Sequence, residues 1–208
     1  MFTGIVEEIG KIISSSGGSL TIGARKVLTE AALGDSIAVN GVCLTVTALN
    51  DTSFSADVME ETLSKTTLGR LRLGDSVNLE SALTLSKGIG GHLVEGHVDA
   101  TGRIISISPL GQSRIIRIGA PPEVMRYVVT KGFIAINGIS LTVVEHDEHS
   151  FTVSIVKFTM DNTILGEARA GDAVNLEADI IAKYVERCIG KKGGLTEDFL
   201  KEHGFIKS

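Results

Sequence analysis

From Ile37 to Thr47 the chain reads Ile-Ala-Val-Asn-Gly-Val-Cys-Leu-Thr-Val-Thr, two apolar runs split by Asn40-Gly41. Asn-Gly between β-branched runs predicts a two-residue hairpin, because both residues accept the positive φ of a type I′ turn. Past the turn, successive side chains of a strand face opposite sides. Val42, Leu44 and Val46 share one face; Cys43, Thr45 and Thr47 share the other. The apolar set is predicted to line an interior, which leaves the thiol and hydroxyls on the outer wall. Any ligand they serve then lies against the wall.

The pattern recurs. Ile134 to Val143 repeats Ile37 to Val46 at an offset of 97 (134 − 37), with Val/Ile exchanges and Ser140 in place of Cys43. Ile139, Leu141 and Val143 form the second inner set, Ser140 and Thr142 the outer one. The same offset carries Gly74-Asp75-x-Val77-Asn78-Leu79-Glu80 onto Gly171-Asp172-x-Val174-Asn175-Leu176-Glu177, and Thr62 and Thr66 onto Thr159 and Thr163. Near the start, Gly4-x-Val6 and Gly10 answer to Gly96-x-Val98 and Gly102 at an offset of 92 (102 − 10). The second copy therefore has about five extra residues (97 − 92), expected in the hairpin loop at Pro109 to Ser113. Short β-rich runs between turn signals predict an antiparallel sandwich or barrel in each copy. A brief helix is expected after Pro121-Pro122, since proline suits a helix's first turn.

After Asp179 the period changes. Ile180, Ile181, Tyr184, Val185, Cys188 and Ile189 lie on one face of a helix. Gly190 and Gly193-Gly194 are expected to end it, with a second helix from Thr196 to His203. The stripe packs either on its own barrel or in a subunit interface.

Composition narrows the function classes. A net charge of −5 and a pI near 5.6 argue against nucleic acid or an anionic membrane as partner. No apolar run approaches the roughly 20 residues that span a bilayer. The start Met1-Phe2-Thr3-Gly4 lacks the basic end and apolar core of a secretory signal. Cys43 and Cys188 sit in unlike contexts, so a reduced, cytoplasmic protein is expected. No P-loop, dinucleotide fingerprint or metal-ligand spacing is found, and no cofactor or metal is expected.

Met1-Phe2-Thr3-Gly4-Ile5-Val6, the paired Asn-Gly-x-x-Leu-Thr-Val segments and Gly90-Gly91-His92-Leu93-Val94-Glu95-Gly96-His97 together resemble the riboflavin synthase family of the α-chain type. The likeness runs through both copies and the tail. It implies an all-β fold of two tandem six-stranded antiparallel Greek-key barrels, residues 1–88 and 89–179, with a helical oligomerisation segment at 180–208. It also implies a homotrimer with sites between subunits, and it admits a lumazine synthase capsid as a partner. The implied reaction is a transfer: two molecules of 6,7-dimethyl-8-ribityllumazine exchange a four-carbon unit, giving riboflavin and 5-amino-6-ribitylamino-uracil.

By this resemblance His97, which stands where the first copy has Ile5, is the acid/base group, and histidine suits proton transfer near neutral pH. Cys43 acts as nucleophile or polar contact, with Ser36 and Asp179 as further catalytic positions; Asp179 also reads as a helix N-cap. Thr45, Met59, Glu61 and Thr62 are expected to hold a lumazine on the first barrel, and Ser140, Thr142, Val156 and Thr159 on the second, with Lys131 nearby. Met59 and Val156 also read as ordinary core. Phe2, Thr3, Gly4 and Val6 match an N-terminus that closes over the site; otherwise the first residues fray. His92 reads as a solvated or structural histidine, and Cys188 as packing. Phe158 stands opposite Glu61 (158 − 61 = 97), so the second site grips the ribityl chain differently. The competing function is a non-catalytic lumazine- or flavin-binding optical antenna, which has no need of a thiol beside a proton-transfer group.

Overall fold

A computed structural model describes residues 1–189 and 201. The expected end of the tail helix and the second helix from Thr196 lie outside the described residues, apart from residue 201. The first repeat forms β1 (Glu8–Ser16), β2 (Ser19–Gly23), β3 (Ser36–Val39), β4 (Val42–Asn50), β5 (Ser53–Asp57) and β6 (Ser76–Ser81). They close into a barrel in the order β1-β2-β5-β4-β3-β6. The second repeat forms β7 (Ala100–Leu110), β8 (Ser113–Gly119), β9 (Phe133–Ile136), β10 (Ile139–His146), β11 (Ser150–Ile155) and β12 (Ala173–Ala178), closed in the equivalent order. All pairings are antiparallel. Helices α1 (Glu60–Lys65) and α3 (Lys157–Asn162) occupy equivalent links, and α2 (Pro122–Met125) starts at the expected proline pair.

Strand alternation sets the two interiors. Val42, Leu44 and Val46 are buried with Ile22, Ile37 and Leu79 in the first barrel, and Ile139, Leu141 and Val143 with Ile118, Ile134 and Leu176 in the second. Each such side chain contributes about 1.5–3 kcal/mol relative to exposure. Both Asn-Gly turns are left-handed, with φ 48° and 76° at Asn40-Gly41 and 47° and 77° at Asn137-Gly138. The extra residues of the second repeat do not enlarge a loop. Leu110 pairs with Ser113 across Gly111-Gln112, as Ser16 pairs with Ser19 across Gly17-Gly18. The ribbon itself is longer, Gly102 and Gly119 lying 17 positions apart (119 − 102) against 13 for Gly10 and Gly23 (23 − 10). A two-residue turn keeps its geometry when residues are added in pairs to its flanking strands.

The barrels meet about a pseudo-twofold axis. Asn78 Nδ2 donates to Asn137 O (3.0 Å) and Asn175 Nδ2 to Asn40 O (2.9 Å), while Asn78 N and Asn175 N donate to the side-chain oxygens of Asn40 and Asn137, 2.8 Å each. All four asparagines are buried, so this network satisfies groups that would otherwise be costly to bury. Beside it Phe2, Val94, Ala38 and Ala135 form a separate apolar core between the barrels. Phe2 N donates to Val94 O (2.6 Å) and Val94 N to Phe2 O (3.1 Å). The chain start is thus pinned and neither frays nor stands clear as a lid.

Helix α4 (Ile180–Ile189) lies on the second barrel by its polar side. Lys183 Nζ meets Asp99 Oδ1 at 2.6 Å, and Glu186 accepts from Arg126 (2.8 Å) and Tyr127 (2.7 Å). Its apolar stripe faces away: Ile181, Tyr184, Val185 and Ile189 are 49–65% exposed, and Cys188 is exposed with them. Packing of the stripe on its own barrel is therefore not what the chain does. No helix among the described residues is long and apolar enough to cross a membrane.

Candidate active site

Two arms precede the barrels and exchange sides. The first, ahead of β1, runs along the second barrel: Ser140 N donates to Gly4 O (2.8 Å) and Val6 packs on that barrel's core. The second, ahead of β7, runs along the first: Cys43 N donates to Gly96 O (2.9 Å) and Val98 packs on the first core. Glycine is required where each arm touches. Gly96 has φ +83°, and a Cβ there would stand 2.6 Å from Cys43 Cβ; Gly4 has φ +76°, with Ser140 Cβ at 2.5 Å.

The second arm brings His97 into one cleft with Cys43. Cys43, Glu61, Thr62, Gly96 and His97 line one cleft of about 350 Å³ on the outer wall of the first barrel. Cys43 is a half-buried free thiol. The His97 side chain is 72% exposed, its Nδ1 3.8 Å from Glu95 Oε2. Glu61 holds Lys65 at 2.7 Å across one turn of α1, which draws its carboxyl below the usual range. Ser36 pairs in register with Thr45 and Ala38 with Cys43, so Ser36, Cys43 and Thr45 share the outer face. Met59, just before α1, is 75% exposed and not part of the core.

The second barrel presents a different wall. His92 Nδ1 and Ser140 Oγ are 2.7 Å apart, and the His92 ring stacks on Phe133 with centroids 5.3 Å apart. His92 is buried, and its Nε2 has no hydrogen-bond partner. Burial lowers its pKa, partly offset by the nearby charge of Asp179. His92 is therefore structural and not solvated. Asp179 Oδ1 accepts from Ile181 N (2.9 Å), the N-cap arrangement. Thr142 is exposed and Thr159 half-buried; Val156 (55%) and Phe158 (75%) are exposed, so Val156 is not core either.

The sequence profile of the lumazine binding domain matches residues 3–82 and again 95–179. A riboflavin synthase of Actinobacillus pleuropneumoniae is 50% identical, covering 99% of this chain and 100% of that protein. The riboflavin synthase of Saccharomyces cerevisiae is 43% identical over 91% of this chain and 86% of its own length. The chain belongs to the riboflavin synthase family. The crystal structure of LumP complexed with 6,7-dimethyl-8-(1'-D-ribityl) lumazine superposes with a TM-score of 0.77 at 25% identity, covering 86% of this chain and 99% of that one. LumP complexed with riboflavin gives 0.79 over the same shares.

In this riboflavin synthase family fold, the residues expected at the site divide between two walls. His97, Cys43, Glu61 and Thr62 share a cleft, and Ser36 and Thr45 continue its face; Asp179 joins His92 and Ser140 on the other barrel. Lys131 lies in an exposed turn with φ 67°, where the first repeat has Gly34 (131 − 97) at φ 89°. A lysine held left-handed costs about 1–2 kcal/mol. Phe2 is fully buried, and Thr3 N and Oγ1 both donate to Glu80 Oε1 (2.8 and 2.7 Å). Sequence reasoning passed over Glu80 and Glu177. They alternate with Leu79 and Leu176 and so read as outer-wall, solvated charges, yet each is 3% exposed. Their one signal was recurrence at the same place in the repeat.

Proposed function

We propose that the protein converts two molecules of 6,7-dimethyl-8-ribityllumazine into riboflavin and 5-amino-6-ribitylamino-uracil by four-carbon transfer. The full-length identity to riboflavin synthases supports the reaction, and the meeting of His97 and Cys43 in one cleft carries the site. The pteridine ring stabilises the anion left when its C7 methyl loses a proton, so the chain must supply orientation and proton transfer. Holding two planar reactants in line is worth up to roughly 7–11 kcal/mol. His97 moves the proton. Cys43, with Ser36 and Thr45 along the same strands, contacts one ring, and Met59, Glu61 and Thr62 hold its ribityl chain. Ser140, Thr142, Val156, Thr159 and Lys131 take the second lumazine on the other wall, where Phe158 replaces a polar grip by an apolar one. Phe2, Thr3, Gly4 and Val6 form the floor of that wall, and Asp179 is a further catalytic group beside it, fixing the nucleophile or a water.

One chain leaves both walls open and the α4 stripe bare. This supports a homotrimer assembled through 180–208, in which the first barrel of one subunit faces the second barrel of its neighbour. The working form is cytoplasmic, free or docked on a lumazine synthase capsid.

The likeness to LumP favours a second reading, a binding protein without turnover. Incubation with the lumazine alone in metal-free buffer distinguishes them. Riboflavin is expected at half the rate of substrate loss. Cys43→Ser and His97→Ala should cut turnover by about 10²–10⁴ and leave lumazine affinity within a few-fold. Stable lumazine fluorescence without product would establish the binder instead.

A further inference from the structure

Each arm is clasped from both sides. Thr3 N and Gly4 N donate to Glu80 (2.8 and 3.0 Å), and Glu95 N and Gly96 N donate to Glu177 (2.6 and 3.0 Å). The two carboxylates are equivalent in the repeat (177 − 80 = 97). Each grips an arm whose carbonyl is seated on the other barrel: Glu177 is on β12, yet Gly96 O meets Cys43 on β4. A carboxylate is costly to bury unless its oxygens are satisfied, and consecutive amides satisfy both oxygens while fixing the peptide between them. The residue after the gripped glycine is His97 on one arm and Ile5 on the other.

We propose that Glu177 is the positioning residue that seats His97 over Cys43; this rests on the function proposed above. The clasp extends to the tail, because Asp99 on the same arm accepts from Ala178 N (2.9 Å) and pairs with Lys183 of α4. The two clasps are unequal. Thr3 adds a hydroxyl donor to Glu80 (2.7 Å), and nothing equivalent reaches Glu177, since Glu95 stands in the place of Thr3. Burial accordingly pushes the Glu177 carboxyl up to about 7, against the pull of the Glu95 and Gly96 amides and of Lys183, with Asp99 adding to the rise. The charged groups that act on it are Lys183 of α4 and Asp99 of the arm; Glu95 and His97 flank the gripped Gly96 along the arm. A proton on Glu177 turns one acceptor oxygen into a donor, so one amide is released and the arm loosens.

The test uses the full chain labelled with ¹⁵N-glycine, together with turnover of the ribityllumazine. The Gly96 amide proton should resonate downfield and titrate with a midpoint near 7. In Glu177→Gln it should move upfield and lose that titration; in Glu80→Gln it should keep both. Glu177→Gln should lower kcat about ten- to a hundredfold, as expected for a reacting group displaced by about 1 Å, with the ligand dissociation constant within threefold. A Gly96 amide indifferent to Glu177, or a kcat within twofold of wild type, overturns the assignment. If Glu177→Gln does not fold, Glu177→Asp, whose carboxylate is one methylene short of the Glu95 and Gly96 amides, takes its place and should likewise move the Gly96 resonance upfield and lower kcat. Absence of riboflavin from the wild type sinks the function proposed above, while the Gly96 resonance still reports whether the clasp exists.

Discussion

Replacing Gly96 by alanine tests the seating of the arm that bears His97 most directly. Two costs are expected, and a second glycine separates them. Alanine at φ +83° bears about 1–2 kcal/mol of backbone strain. Gly18 has nearly the same φ, +79°, and its nearest neighbour would be Val58 O at 3.5 Å, an ordinary contact, so Gly18→Ala reports strain alone. At position 96 the methyl would also lie 2.6 Å from Cys43 Cβ and 2.9 Å from Cys43 N. Carbon atoms pack at about 3.5–4.0 Å, so the arm must withdraw by about 1 Å. The 2.9 Å bond from Cys43 N to Gly96 O then breaks. Overpacking of this kind costs about 1–3 kcal/mol, which is the expected difference between the two variants. For a chain of this size that corresponds to about 2–12 °C in Tm. Turnover should fall about 10²-fold in Gly96→Ala and stay within twofold in Gly18→Ala. Melting curves and riboflavin formation read both quantities. Equal melting temperatures with unchanged turnover would refute the seating of the arm on Cys43.

Phe2→Ala should cost about 3–5 kcal/mol in denaturant unfolding, because the ring is fully buried in the core between the barrels; a loss below about 1 kcal/mol would mean the ring serves only as a cover. Glu177 makes stability depend on pH. Its carboxyl is raised from 4.5 to about 7 in the fold, so between these values the folded chain keeps a proton that the unfolded chain has released. Stability therefore falls as pH rises from 4.5 through 7 and is lowest above it, by at most about 3 kcal/mol at about 1.36 kcal/mol per unit. Urea titrations at pH 5 and pH 8 should show a smaller loss in Glu177→Gln than in wild type, Glu80, also raised by burial, keeping its own part, and parallel pH dependences in the two would contradict it.

Much of the wall proposed for the chemistry was legible in one dimension. Alternation alone put Cys43 and Thr45 outward and Leu44 inward, since a strand in a closed barrel has one interior side. The Asn-Gly turns followed from the φ values those residues accept, and the changed period after Asp179 announced α4. Other features were not legible, because they depend on what an outward side chain meets. Glu177 and Leu176 look alike in alternation whether the outer side is water or the other barrel's arm. Phe2 reads as a cover over the site or a fraying end until Val94 is found beside it, and His92 as solvated or structural until Ser140 and Phe133 enclose it. Met59 and Val156 are apolar enough for a core, yet lie on a wall that remains open.

By itself the sequence determined a duplicated antiparallel β architecture, the inner and outer faces of its strands, and which copy holds the thiol, because strand period and turn chemistry are local. Only the tertiary structure decided that the arms trade barrels, that buried carboxylates grip them, and that His97 and Cys43 line one cleft. Those facts join residues more than fifty positions apart, and no local propensity encodes such a meeting.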